Sequence, residues 1–200
     1  MGMGITVLVV DWSHLSAIAA DERMRQLEDA GYQVDDVEDI EEGWRWPSGD
    51  GDPWFGTYEF RSTLGSFKPH FWAGEAWDDV RAFADPALKA ALDRFLTPLF
   101  WDDATCDDDA EAQDEARDGM DPLRRHLLVT CTPEAVEDLV DAWNEAAPLL
   151  AQLREPYAGH AARPGRWIAN FEEFSDLLHG WAEVAMEAER RGWGLVGLRA

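Results

Sequence analysis

"FEEFSDLLHGWAEVAMEAERRGWGLVGLR", residues 171–199, is the stretch on which the fold turns. Asn170 and Glu173 stand at capping-box spacing at its start, an acceptor for the first turn followed by a carboxylate that can reach back. Phe171, Phe174, Leu177, Leu178, Trp181 and Val184 then recur every three or four residues, so one helix gathers them into a single apolar stripe. Gly192 supplies the left-handed residue that ends such a helix. "WGLVGLR" after it reads as a terminal strand. The stripe needs a core to cover, and the strand needs a sheet to join.

The residues upstream repeat the same grammar. "HLLVTC", 126–131, reads as a strand, after which Thr132 caps a helix and Pro133 opens it. The inner face of that helix is expected to carry Val136, Leu139, Val140, Trp143, Ala147 and Leu150, with Pro148 kinking or splitting it. "PYAGHAARPGR", 156–166, reads as a loop. At the other end, "ITVLVV", 5–10, is a continuous run rich in β-branched residues and predicts a buried strand. Residues 13–20 suggest an extra helical turn before a helix over 21–30. Asp21 is its expected cap, Met24, Leu27 and Ala30 its face, and Gly31 its stop.

Between the two ends, "WRW" and "TYEFR" read as hairpin partners around the turn cluster "PSGDGDP". A short helix is expected over 76–84 with Trp77, Val80 and Ala84 aligned. Asp85 and Pro86 then open another whose inner face holds Leu88, Leu92, Phe95, Leu99 and Phe100. "DDATCDDDAEAQDEARDG" has too few apolar side chains for a core and is expected to be an acidic mobile loop over 102–120. The expectation is one α+β domain over 1–200: a small mixed sheet with N- and C-terminal strands, packed by several amphipathic helices.

Composition narrows the function classes. The chain has 41 acidic against 17 basic residues, a formal charge of −24. That charge repels phosphates and anionic lipid, so neither nucleic acid nor a membrane is expected as a partner, and a basic protein is favoured. Nothing at the start resembles a signal peptide, and the expected location is the cytoplasm. The two cysteines, Cys106 and Cys131, form no CxxC pair. The five histidines, at 14, 70, 126, 160 and 179, show no HxH, HxxxH or HExxH spacing, so neither metal nor cofactor is expected.

Two features of the last third, the Thr132-Pro133-Glu134 helix start after a strand and the final helix running into a strand, resemble the bacterial YfbM-like family of unknown function. The resemblance implies a small α+β domain and no known activity. The tryptophan-rich middle, residues 44–80, departs from that pattern.

Candidate residues fall in three groups. "FKPHFWAGEAWDDV", 67–80, sets His70, Trp72 and Glu75 among other aromatics, which suits a binding surface as well as a core. Trp44, Trp46 and Trp54 lie in a segment punctuated by glycine and proline and are expected to be the more exposed rings. Asp11 and His14 follow the first strand, where polar groups either bind a ligand or simply cap a turn. No catalytic residue is named by any motif. The leading reading is a non-catalytic recognition protein, of the immunity or inhibitor type, for a basic partner. The alternative is a small-molecule-binding protein or hydrolase using an aromatic pocket around Trp72, so a small-molecule ligand stays open.

Overall fold

The computed structural model describes residues 3–32, 43–47, 52–60, 63, 65–100, 127–162 and 168–199. The acidic segment expected as a mobile loop lies outside them, as do Cys106 and His126.

The fold is α+β, and the strands at its two ends lie together in the middle of the sheet. β1 (Ile5–Val10) pairs with β5 (Gly194–Arg199) from Ile5↔Arg199 to Val10↔Gly194. β3 (Phe55–Tyr58) pairs with the other edge of β1, and β2 (Trp44–Arg45) with β3, while β4 (Leu127–Cys131) closes the far side on β5. The order is β2-β3-β1-β5-β4, and each of these pairings is antiparallel. The mixed sheet expected from the sequence is therefore replaced by an antiparallel one. The strands' own residues specify burial, and the connections between them specify direction.

Both faces of the sheet are covered, which explains the unbroken apolar run of β1. Alternation sends Val7 and Val9 to one face and Leu8 and Val10 to the other. The second face meets α1 (Trp12–Ala17) and α2 (Ala20–Tyr32) through Leu15, Leu27 and Ala30. Gly31 lies within α2 and does not end it, and Asp21, the expected cap, is instead the second residue of the helix.

The first face carries the larger layer. α3 (Lys68–Val80) begins eight residues before the expected 76–84 helix, because Pro69 in its first turn starts a helix without losing a bond. A 3-10 turn at Arg81–Phe83 leads to α4 (Pro86–Phe100), where Asp85 accepts a hydrogen bond from the Ala87 N–H at 2.8 Å. Leu88, Leu92, Phe95, Leu99 and Phe100 are all buried, as the spacing predicts.

α5 (Pro133–Ala146) has its Thr132 cap and stops where Pro148 demands, giving way to a 3-10 segment at Ala147–Leu153. The loop expected at 156–166 is corrected over its first part, where α6 (Arg154–Ala161) stands, and residues 163–166 lie outside the described ones. Pro156 sits in the first turn, where its missing N–H costs nothing, and Tyr157 and His160 turn inward three residues apart. α7 (Phe171–Arg191) buries the whole predicted stripe. Asn170 accepts from the Glu173 N–H at 2.8 Å, and Gly192 ends the helix at φ 68°, in the left-handed region that favours glycine. The chain then turns directly into β5.

Candidate functional site

α3 divides the aromatic stretch 67–80 into two faces. Helical spacing sends His70, Ala73, Trp77 and Val80 inward, where all four are buried. The same spacing leaves Phe71, Glu75 and Asp78 on the outer face. Phe71 is 41% exposed, an unusual state for a phenylalanine on a helix that is otherwise part of the core. Half-buried Trp72 meets it edge-on at 5.8 Å. Among the described residues, no ion pair engages Glu75 or Asp78.

His70 is a core residue. Its ring packs against Phe60 at 4.8 Å and Trp181 at 5.5 Å, and its Nδ1 accepts a hydrogen bond from Trp181 Nε1 at 3.0 Å. That bond fixes the proton on Nε2, which has no partner. Burial lowers its pKa to about 3, so the imidazole is neutral. Among the described residues, the hydrogen bond of its ring is to Trp181 and not to a carboxylate.

The hairpin tryptophans are not free rings. Trp44 Nε1 donates to Glu183 Oε1 at 3.0 Å, and the Tyr58 hydroxyl donates to Glu183 Oε2 at 2.9 Å. Trp44 and Trp46 stack at 5.3 Å, and the Arg191 guanidinium lies 3.9 Å from the Trp46 ring centre and 4.9 Å from that of Trp193. Both tryptophans are half-buried, and they bind the hairpin to α7. Trp54 is likewise half-buried: it packs on the smaller core and stacks on His14 at 4.6 Å. The expectation that Trp44, Trp46 and Trp54 are the exposed rings is corrected, because Glu183 and Arg191 of α7 engage Trp44 and Trp46 and the His14 ring of α1 stacks on Trp54.

Asp11 is the N-cap of α1. Its carboxylate accepts from the Ser13 hydroxyl at 2.5 Å, the Ser13 N–H at 2.9 Å and the His14 N–H at 3.2 Å. The Ser13 hydroxyl, ahead of the backbone donors, holds it below the usual carboxylate range. The argument for a ligand beyond β1 came from parallel sheets and lapses in an antiparallel one.

Two polar arrangements had no sequence signal. His160 Nδ1 lies 2.7 Å from Asp79 Oδ2, a histidine–carboxylate pair joining α6 to α3. His160 is 3% exposed, while the Asp79 side chain is 29% exposed. Glu183 is the other. Its position with Glu187 and Arg191, four residues apart along α7 beside the apolar stripe, is a pattern the sequence does carry. Among the described residues, no group of three or more His, Cys, Asp or Glu could hold a metal ion. A cleft of about 280 Å³ exists near β2 and β3, but among the described residues neither Trp72 nor any other tryptophan lines it. Comparison of the chain with family models, curated proteins and solved structures returns no match.

Proposed function

We propose that the chain is a non-catalytic recognition protein of the immunity or inhibitor type, working in the cytoplasm, and that it takes a basic protein on the outer face of α3. The observation that carries this reading is Phe71, an exposed ring one helical turn from Glu75 and beside Trp72. Interfaces concentrate their energy in such aromatic anchors, ringed by groups that steer the partner in. The charge of −24 and the carboxylates of Glu75 and Asp78 suit a cationic surface. The anchor thus moves from the hairpin tryptophans, which are engaged by α7, to Phe71 and Trp72. The histidines suit the same reading: His70 is neutral and enclosed, and the His14 ring stacks on Trp54. The YfbM-like resemblance of the last third is kept as a proposal of kinship and adds no activity.

A photo-reactive amino acid in place of Phe71, with a control at exposed Ala90 on α4, tests the reading in cells. The expected result is an adduct at 71 and not at 90, to a protein of high isoelectric point whose complex re-forms from the purified components. Equal adducts at both positions, or an acidic partner at 71, overturn it.

A further inference from the structure

A guanidinium set on an aromatic ring and tied to a glutamate occurs twice in this fold. Arg191 lies 3.9 Å from the centre of the Trp46 ring and 4.9 Å from that of Trp193, and its Nε donates to Glu187 Oε1 at 2.6 Å. Arg154 lies 4.7 Å from the centre of the Phe171 ring and pairs with Glu172. The two examples share a physical logic. The flat cation covers the ring and leaves its in-plane N–H groups for a carboxylate alongside.

The outer face of α3 also sets a ring beside a carboxylate. Phe71 and Glu75 are both exposed and stand one helical turn apart, a spacing that puts their Cβ atoms about 5–6 Å from each other. Helical side chains lean towards the N-terminus, so the Glu75 carboxylate is carried back towards the turn of Phe71. Asp78 is exposed on the same stripe, two turns from Phe71. Lys68, the one lysine or arginine of α3, precedes Phe71 and so lies on its other side from Glu75. Among the described residues, no cation lies over the Phe71 ring and no ion pair engages Glu75.

We propose that Phe71 and Glu75 receive an arginine side chain of the basic partner, its guanidinium over the ring and its N–H groups on the carboxylate, a site that rests on the reading of α3 as the docking face. Charge complementarity favours a cation, since Glu75 and Asp78 bring two carboxylates to the stripe on a chain of −24. Chemistry selects arginine over lysine. An ammonium is a strongly hydrated point charge and must shed water to meet a ring. A guanidinium is planar and weakly hydrated, so it stacks and donates in one pose. Phe83 supplies the contrast. It is 71% exposed, but nearby carboxylates in the sequence are engaged, Asp79 with His160 and Asp85 with the Ala87 N–H.

The test is a titration of the full chain with two end-blocked peptides of equal charge, hexa-arginine and hexa-lysine, at about 0.15 M salt. Equal charge makes the long-range attraction to the acidic chain common to both. Hexa-arginine is expected to bind tighter by about threefold or more, the scale of one exposed cation–π contact, and to shift the side-chain signals of Phe71 and Glu75. Phe71→Leu stays apolar without a ring and should erase that preference, whereas Phe83→Leu should leave it intact. Glu75→Gln should reduce the preference more than Glu137→Gln, which removes the same charge from an exposed position of α5. A ratio below about twofold, or a preference that survives Phe71→Leu in the folded protein, overturns the proposal. If Phe71→Leu weakens both peptides alike, the choice of arginine falls and α3 stays as the docking face. If neither peptide responds to Phe71→Leu or Glu75→Gln, the docking face falls with it.

Discussion

Gly56 and Trp46 make a contact that can be read quantitatively. A Cβ built on Gly56 would lie 2.2 Å from a Trp46 ring carbon, inside any tolerable contact. Gly56→Ala therefore displaces the indole from its stack on Trp44 and from beneath Arg191. Overpacking of this kind costs about 1–3 kcal/mol. Trp46→Ala removes a half-buried ring together with its cation–π contact. A fully buried aromatic costs about 3–5 kcal/mol, so the half-buried ring should cost about 2–3 kcal/mol, the cation included. The two losses do not add. With the indole gone, the alanine methyl has room, and replacing glycine in a strand is neutral or favourable by up to about 1 kcal/mol. The double variant should be no less stable than Trp46→Ala alone, which makes the coupling at least as large as the Gly56→Ala cost, about 1–3 kcal/mol. Urea unfolding followed by far-ultraviolet circular dichroism measures all four corners of the cycle. Additivity within about 0.5 kcal/mol, the behaviour of independent sites, would refute the packing described here and return Trp46 to the surface.

Leu177 is 3% exposed on the inner face of α7, and Leu177→Ala should cost about 2–5 kcal/mol in the same assay. A loss under about 0.5 kcal/mol, usual for surface sites, would contradict the core assignment. His70 should impose a pH dependence. Its folded pKa of about 3 lies below the ordinary 6.5, so the unfolded chain binds the proton first. Its stabilisation is complete above pH 6.5 and is lost as pH falls towards 3, at up to about 1.4 kcal/mol per pH unit. His70→Gln keeps an acceptor for Trp181 and should flatten that slope. An unchanged slope would show that the ring is already charged or accessible in the fold.

Local signals were legible and distant ones were not. The caps at Asp85, Thr132 and Asn170 and the stripes behind them were readable because cap and stripe lie within a few residues of each other. α6 was hidden because Pro156 and Gly159 look like loop residues, although one sits in the first turn and the other meets open space. The start of α3 was hidden by a crowd of aromatics, since rings on both faces blur a 3.6-residue period. The burial of Trp44 depends on Glu183, 139 residues away, and that of Trp46 on Arg191. The pairing of His160 with Asp79 likewise spans 81 residues. In the candidate site, the mixture of His70, Trp72 and Glu75 was visible. Which of them faced outward depended on where α3 begins.

If Phe71 anchors a basic partner that the acidic surface steers, the association kinetics of the purified complex must show both contributions. Wild type and Phe71→Ala are compared at low and at roughly 0.5 M salt, where the screening length falls well below its 0.15 M value of about 8 Å. Salt is expected to slow association of both proteins strongly. Phe71→Ala is expected to speed dissociation by about 2 kcal/mol or more while unfolding stability changes by about 1 kcal/mol at most. Association indifferent to salt, or dissociation unchanged in a folded Phe71→Ala variant, would contradict it.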